Sequence, residues 1–207
     1  MLFVWQVYIT VMFKKHITSV DQIQTYATTI TYPRTVSIFH GHYPEKHTLH
    51  NLILEIDNQL KNTKEEYTTN IYGDKTDFNS FNDNKDFLHF IKYVQKQIIM
   101  HPNGSVFHAF WDRYELESWA VKIKKQDYIR YHNHPCWHCI LYLSDGVDLH
   151  LPELNISITP KIGDWYVLPS SILHGAEKSN NEKCRYSLIC NFLDKGDWKR
   201  LNEIKVY

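Results

Sequence analysis

Glycine and proline are scarce in this chain of 207 residues, with 7 of each. Their scarcity excludes collagen-like sequences, low-complexity sequences and long flexible linkers. Cysteine is scarce as well, and the 4 residues present are too few for the disulfide framework of a small secreted protein. A chain of this length can bury one sizeable core without such cross-links, so we expect an ordinary globular protein.

Long apolar runs are also missing. The longest extends from Met1 to Phe13 and is interrupted by Gln6 and Thr10, which makes it too short to span a bilayer. It has no basic residues before it and no small-residue cleavage site after it, so a signal peptide is not expected. We therefore expect a cytoplasmic protein that has no membrane partner.

Charge of one sign is not in excess, since 23 basic side chains balance 23 acidic ones. An even balance indicates no polyanion-binding surface, so a nucleic-acid partner is not expected. The surplus lies elsewhere, in 13 histidines and in aromatic side chains that make up 14% of the sequence. The function of this chain must therefore be sought in how its histidines are arranged.

Two amphipathic helices are predicted in the first half of the chain. Apolar residues recur at helical spacing over 49–60 and again over 87–98, and Asn84 is placed to cap the second helix. Between them the sequence is polar, with one short strand expected at 68–72. The helical part is predicted to span 45–102.

From residue 106 onward the pattern changes to short runs of period two, separated by turn residues. Many short strands without intervening helices indicate an antiparallel sandwich or jelly roll, with the helices packed outside one sheet. The predicted fold class is therefore α+β, with a β-rich part at 106–193. The strands are expected at 119–123, 128–133, 137–143, 148–151, 156–159, 165–168 and 184–193.

A histidine pair lies in the second of these strands, at His132-Asn133-His134. Residues two apart on a strand point to the same side, so the two imidazoles are expected to project together. A third imidazole, His174, follows the stretch Gly163-Asp164…Leu168-Pro169 in a later strand region. Three imidazoles meeting inside a rolled sheet would suit a divalent transition metal and leave coordination positions open for chemistry.

Arg185 and Ser187 share one face of the last strand with Ile189 and Asn191. An arginine on an otherwise apolar inward face is costly to bury unless something pairs with it. A ligand carboxylate would satisfy the guanidinium, and the serine hydroxyl would add one hydrogen bond. The alternative is a surface strand whose arginine faces water.

Together these motifs resemble the 2-oxoglutarate- and Fe(II)-dependent oxygenases. The similarity is to a branch of small oxygenases from phage and marine bacterial genomes, which share H-x-H-P, a Y-Y-L-like strand, G-D…F-P…H and R-x-S-x-x-x-N. The resemblance covers about residues 30–193, and residues 1–30 look like an N-terminal extension. It implies a single jelly-roll oxygenase domain over 31–207.

The resemblance implies a cupin-like double-stranded β-helix that holds Fe(II), with 2-oxoglutarate as cosubstrate. Such enzymes hydroxylate a second substrate, here a small molecule or a peptidyl group, while 2-oxoglutarate becomes succinate and CO2. The residues it implies are His132, His134 and His174 as metal ligands, and Arg185, Ser187 and Tyr142 around the distal carboxylate of 2-oxoglutarate.

One position departs from the wider superfamily, whose H-x-D/E…H triad has a carboxylate where His134 stands. A neutral imidazole there leaves the metal centre one charge unit more positive. His138 lies four residues further on, where related cupin barrels place a fourth ligand, so it is a further candidate. Cys136-x-x-Cys139 offers a weaker alternative, as half of a zinc site or a redox pair, although buried inert thiols are the simpler interpretation.

Two other functions are compatible with the sequence. The first is a cupin-type three-histidine metalloprotein that does not use 2-oxoglutarate. The second is a jelly-roll module without enzymatic activity, in which all three histidines are dispensable.

Overall fold

The computed structural model of the chain describes residues 36–63, 70–100, 114–146, 148–178, 180 and 182–195. The predicted N-terminal extension at 1–30 lies outside the described residues, as do the start of the β-rich part at 106 and the first two residues of the strand expected at 68–72. The domain boundaries stay a prediction.

Both predicted helices are present, as α1 (Lys46–Asn62) and α2 (Lys85–Ile99). Helix α2 begins as expected, because the Asn84 side chain accepts a hydrogen bond from the Phe87 backbone N–H at 3.0 Å. Each helix buries an apolar stripe and exposes its polar faces. Within the described part of the chain, neither helix is long and apolar enough to cross a membrane.

Eleven strands are described, and all of their pairings are antiparallel. A 3-10 helix, Pro152–Leu154, joins the seventh strand to the eighth. The strands are β1 (Phe39–His42), β2 (Ile71–Tyr72), β3 (Asp74–Lys75), β4 (Tyr114–Ile123), β5 (Tyr128–His132), β6 (Trp137–Tyr142), β7 (Leu149–Leu151), β8 (Ile156–Ile158), β9 (Asp164–Leu168), β10 (His174–Ala176) and β11 (Arg185–Asp194).

The strands form two sheets, in the orders β1-β9-β6-β11-β4-β3 and β2-β5-β10-β7-β8. We call them the major sheet and the minor sheet. From β4 onward the chain passes between the two sheets at each connection except that of the β7–β8 pair, which lies within the minor sheet. This is the topology of a double-stranded β-helix or jelly roll. The predicted α+β jelly-roll fold is confirmed.

The helices cover only one face of the major sheet. Side chains on that outer face pack with α1 and α2 in one large apolar cluster, which includes Leu141, Leu188 and Phe192. The opposite face of the same strands turns toward the minor sheet, where smaller apolar clusters line the interior. The expected packing of helices outside one sheet is therefore confirmed, and the space between the sheets is left for a site.

Besides the two-residue β3, two strands were not expected from the sequence. β1 lies in a histidine-rich segment without clear alternation and pairs with β9 at the edge of the major sheet. β10 has only three residues, too few for a period to show, and it pairs with both β5 and β7 in the minor sheet. This second strand matters for the site, because it carries His174.

Candidate metal centre

His132 and His174 face each other across two neighbouring strands of the minor sheet. They are directly opposed in the β5–β10 ladder, and their ring centroids lie 4.5 Å apart. Close approach of these strands depends on Gly175, because a Cβ there would lie 2.8 Å from the Ile129 carbonyl oxygen and 2.8 Å from Tyr131 Cδ1. The glycine thus lets the sheet bring two histidines together that are far apart in sequence.

His134 follows the end of β5 and reaches across to the major sheet. Its ring lies between two others. The Trp119 indole on β4 has its centroid 5.8 Å away at an interplanar angle of 7°, and the His138 imidazole on β6 has its centroid 3.9 Å away at an angle of 13°. Stacking against both rings fixes the plane of the His134 imidazole. The sequence predicted that one strand would point both His132 and His134 to the same side. In the structure β5 ends at His132, and packing against the major sheet orients His134 instead.

The three predicted imidazoles converge on one point. His132, His134 and His174 each offer a ring nitrogen, and these nitrogens all lie within 4.8 Å of one another. Nε2 of His132 and Nε2 of His134 are only 3.2 Å apart. All three side chains are mostly buried, at the mouth of the space between the sheets.

Hydrogen bonds to the other ring nitrogen determine the tautomer of each histidine. Nδ1 of His132 lies 2.8 Å from the Arg130 carbonyl oxygen, and Nδ1 of His174 lies 3.2 Å from the Ile172 carbonyl oxygen. A carbonyl only accepts, so both Nδ1 atoms carry the proton and both Nε2 atoms present a lone pair. Nδ1 of His134 is bonded in turn to the side-chain oxygen of Asn191, at 2.6 Å.

Burial keeps these imidazoles neutral. It lowers the pKa of His132, lowers the pKa of His134 to about 4, and lowers the pKa of His174 to about 3. The neighbouring imidazoles contribute a smaller effect of the same sign at His134 and His174. At neutral pH the ligand atoms are therefore available without loss of a proton.

The arrangement fits a divalent transition metal. Nitrogen ligands lie about 2.1 Å from such an ion, so two of them at right angles are about 3.0 Å apart, close to the observed His132–His134 separation. Two bare lone pairs at this distance repel each other unless a cation lies between them. Three imidazoles on one side also leave coordination positions open, as a catalytic metal requires.

His138 does not join this set in the structure. It is fully buried, and among the described residues neither ring nitrogen makes a hydrogen bond of ordinary geometry. Its ring is almost parallel to that of His134, so its lone pairs lie in a separate plane, too far from a metal held in the plane of His134. Burial, with His134 and His174 adding to it, lowers the pKa of His138 well below its usual value.

The cysteines lie apart from the three histidines. Cys139 and Cys190 are opposed on β6 and β11, but both face the helices and are buried in the outer apolar cluster. All four cysteines are free thiols, and burial raises the pKa of Cys136 to about 12. Burial also raises the pKa of Cys139 and of Cys190, so these three thiols stay protonated and unreactive, in agreement with the simpler interpretation of the sequence.

Behind the histidines lies a narrow space between the sheets, which we call the inner cavity, with a volume of about 40 Å³. Arg185 and Ser187 from β11 and Tyr142 from β6 line it, and Ser187 is directly opposed to Tyr142 in the ladder. The remaining walls are mainly apolar. The predicted carboxylate-binding residues and the three histidines thus share one cavity.

Arg185 is only 3% exposed, and its guanidinium carbon lies 5.7 Å from the centroid of the Tyr142 ring. Burial lowers the pKa of this arginine, and burial raises the pKa of Tyr142 to about 12. A guanidinium keeps its charge even when its pKa is lowered, so the cavity carries a positive group at one end. The arginine faces inward, and the surface-strand alternative is not what the structure shows.

A second space opens from the histidines to the surface, which we call the outer cleft; its volume is about 270 Å³. It shares Ile71, Trp119, His132 and His134 with the inner cavity. Apart from Pro135, its other lining residues are polar or aromatic. The Lys75 ammonium lies 3.3 Å from the centroid of the Phe78 ring. These other lining residues are Asn70, Lys75, Phe78, Glu117, Asn133, Pro135 and Asn191.

Sequence reasoning missed the contacts around His134. Asn191 was placed on the inward face of β11 but given no role, and Glu117 was not singled out. The two residues are opposed in the β4–β11 ladder, and Asn191 is opposed to His138 in the β6–β11 ladder. Asn191 and Glu117 can be recognised only from the register of these strands, because no short spacing in the sequence links either residue to the histidines.

Solved structures with a similar fold include several proteins that share little sequence with this chain. A prolyl-4-hydroxylase from Pseudomonas putida has a TM-score of 0.60 at 13% identity, covering 77% of this chain and 94% of that one. The viral collagen prolyl hydroxylase from Paramecium bursaria Chlorella virus-1, in its 2-oxoglutarate complex, has a TM-score of 0.57 at 12% identity, covering 74% and 94%.

A third similar structure is the non-haem α-ketoglutarate-dependent epimerase SnoN from nogalamycin biosynthesis, with a TM-score of 0.57 at 10% identity, covering 77% of this chain and 78% of that one. No protein-family model matches the sequence. No curated protein matches it either. At these identities the likeness establishes a shared fold.

Proposed function

We propose that this chain is a non-haem Fe(II)- and 2-oxoglutarate-dependent dioxygenase that hydroxylates a small-molecule or peptidyl substrate, releasing succinate and CO2. The observation that carries the proposal is the convergence of three Nε2 atoms at one end of a cavity whose wall holds a buried guanidinium. The superfamily that the sequence motifs resemble also pairs a three-ligand metal site with an arginine for the cosubstrate, although it has a carboxylate where His134 stands. The structural neighbours named for the same cosubstrate share the fold.

His132, His134 and His174 would hold the iron, through Nε2 in each case. Bound there with 2-oxoglutarate, iron supplies the oxygen activation and C–H oxidation that no protein side chain provides. The residues of the chain fix the ligand orientation, keep the imidazoles neutral and surround the metal with a largely apolar wall. Replacement of the usual carboxylate by His134 leaves the charge of the site more positive, which favours a dianionic cosubstrate.

Arg185 would pair with the distal carboxylate of 2-oxoglutarate, and Ser187 would donate one hydrogen bond to it. A buried arginine gains most from a bidentate carboxylate partner, because that interaction offsets the cost of removing the guanidinium from water. The Tyr142 hydroxyl, opposite Ser187 in the ladder, is placed for a third contact. These three side chains determine the depth at which the cosubstrate is held.

The inner cavity has to widen when the cosubstrate enters. Its volume of about 40 Å³ corresponds to roughly three waters, less than a five-carbon dianion requires. The substrate would approach from the other side, through the outer cleft, whose walls include His132 and His134. Cosubstrate and substrate would then reach the three histidines from two different spaces.

The proposal is tested by anaerobic titration of the full-length chain with Fe(II) and then 2-oxoglutarate. We expect a weak visible charge-transfer band, followed by succinate release when air is admitted. Arg185→Ala should weaken 2-oxoglutarate binding at least about 30-fold, since truncating one partner of a buried charge pair costs roughly 2–5 kcal/mol. Fe(II) binding should stay unchanged.

Arg130→Ala is the matched control, because Arg130 is exposed and stacks on the Tyr72 ring away from the inner cavity. Metal binding without a 2-oxoglutarate-dependent band would favour the cupin-type alternative. If a variant with His132, His134 and His174 all replaced kept both metal binding and function, that result would favour the non-enzymatic module. The phage and marine bacterial branch, the cytoplasmic location and the 31–207 domain stay predictions.

A further inference from the structure

A hydrogen-bonded row runs from the candidate metal ligand His134 into the major sheet. The Asn191 side-chain oxygen lies 2.6 Å from Nδ1 of His134, and the Asn191 side-chain nitrogen donates to Oε2 of Glu117 at 2.8 Å. Asn191 is only 4% exposed, and it is opposed to Glu117 in the β4–β11 ladder. The three side chains therefore form a carboxylate–amide–imidazole relay held by strand register.

The direction of each hydrogen bond in this row follows from the Glu117 carboxylate. An ionised carboxylate only accepts, so the Asn191 amide must turn its NH2 toward Glu117 and its oxygen toward His134. That oxygen in turn only accepts, so Nδ1 of His134 carries the proton and Nε2 presents a lone pair. Glu117 thus selects the His134 tautomer that can bind a metal, although it does not touch the imidazole.

We propose that Asn191 and Glu117 are positioning residues that hold His134 in its metal-binding tautomer and supply, through the amide, the negative polarity that a ligating carboxylate would otherwise give. The other two histidines obtain the same tautomer from backbone carbonyls, which cannot turn. An amide can turn, so His134 alone needs a further residue to orient its partner. This inference rests on the metal-binding half of the proposed function and does not depend on 2-oxoglutarate.

The two residues also line the outer cleft beside His134. Glu117 is only partly buried, so its substitution is tolerated better by the fold than substitution of a core residue. The proposal can therefore be tested in two ways. Substitution of the buried Asn191 removes the contact with His134 itself, and substitution of the partly exposed Glu117 disturbs the fold less.

Two readouts on the full-length chain test the relay. The first is the tautomer of His134 in the metal-free protein, from 15N-histidine NMR at neutral pH. The second is affinity for Co(II), followed by its visible absorption bands. Asn191→Leu should lose the Nδ1–H tautomer and bind Co(II) about 10–100-fold more weakly, the usual cost of removing the hydrogen-bond partner of a metal-ligating histidine.

Substitutions at position 117 sharpen the test. Glu117→Lys replaces an acceptor by a donor, so the amide should turn and the tautomer should invert, with weaker Co(II) binding. Glu117→Gln keeps an accepting oxygen and should retain the native tautomer. The double variant Asn191→Asp with Glu117→Gln restores an acceptor for His134 and a donor for its partner, and should recover most of the affinity lost in Asn191→Leu.

Asn82→Leu is the matched control. Asn82 accepts from Ser118 Oγ at 2.6 Å and donates to the Leu116 carbonyl oxygen at 2.7 Å, without contact with an imidazole. The proposal is overturned if Asn191→Leu keeps both tautomer and affinity, if Glu117→Lys leaves the tautomer unchanged, or if Asn82→Leu costs as much Co(II) affinity. A wild-type chain that shows the Nδ1–H tautomer but binds no metal would overturn the proposed function instead.

Discussion

The two faces of the major sheet are made by the same strands but differ in composition. The outer face is apolar, whereas the inner face combines smaller apolar clusters with buried polar side chains. On β11 the residues facing the helices include Leu188, Cys190 and Phe192, which are buried in the outer apolar cluster. Their neighbours Arg185 and Asn191 face the interior, where they line the inner cavity or bond to His134. Because side chains alternate along a strand, one ladder can carry a stabilising core and a polar site side by side. Stability and binding should therefore respond to different residues of one strand.

The largest effect should come from breaking the outer face. Phe192→Ala removes a fully buried ring that packs with the helices and with Tyr114. We expect the free energy of unfolding to fall by about 3–5 kcal/mol, measured by chemical denaturation. Ser187→Ala, on the inner face of the same strand, should change it by less than half as much. Equal losses at both positions would contradict the division between the faces.

Acid should act mainly through the buried histidines of the inner face. The folded pKa of His134 is about 4 and that of His174 about 3, whereas an unfolded histidine titrates near 6.5. The unfolded chain therefore binds more protons below pH 6.5, so stability is fully present above that pH and is lost as the pH falls toward the folded values. For the metal-free protein we expect each of these two histidines to contribute a loss on the order of 3 kcal/mol by pH 4.

The control for this titration is His174→Leu, which removes one of the strongly shifted groups and keeps an apolar side chain in its place. Its unfolding free energy should depend less steeply on pH between 6.5 and 4. An unchanged slope would mean that the acid sensitivity arises elsewhere.

A smaller effect should follow from separating the strands of the minor sheet. Gly175→Ala places a methyl group against the Ile129 carbonyl and the Tyr131 ring. Overpacking of this kind costs about 1–3 kcal/mol, and the shift of β10 should move His174 away from His132. We expect Co(II) affinity to fall about tenfold, by titration. Ala176→Gly, which adds no atoms, should bind Co(II) as the wild type does.

The smallest effect is expected where α1 meets the edge of the outer face. Oδ1 of Asp57 accepts from Lys122 Nζ at 2.7 Å and from the Tyr186 hydroxyl at 3.1 Å. The carboxylate is 40% exposed, so this ion pair is screened by water. Asp57→Asn should lower the free energy of unfolding by about 0.5–1 kcal/mol without altering metal affinity. A change in metal affinity would show that the two faces are coupled.

Much of this fold was predictable because alternation and helical spacing are local. The alternation of Trp119, Val121 and Ile123 gave β4, and the apolar stripe from Phe87 to Ile98 gave α2. β10 was missed because three residues cannot display a period. β1 was missed because its side chains are mostly partly exposed histidines and a glycine.

The site was predictable to the extent that its residues lie in short motifs. Arg185 and Ser187 are two apart within β11, so a strand pattern was enough to place them on one face. His132 and His134 are also two apart, but β5 ends at His132, so the spacing predicted their proximity and not the path of the chain between them. The Asn191–Glu117 contact joins residues that are 74 positions apart. Nothing in the spacing of the sequence specifies which residue of β4 stands opposite Asn191, since ladder register is set by the packing of the whole sheet.

That register has an evolutionary consequence. Leu168, His138, Asn191 and Glu117 stand in one row across four adjacent strands. Deleting one residue within β11 would reverse the faces of all residues on one side of the deletion. It would turn either Cys190 and Phe192 toward the interior or the Arg185 guanidinium toward the helices, so packing and site would be damaged by a single event. Length changes in descendants of this protein should therefore be confined to the turns, while the strands diverge only by substitution.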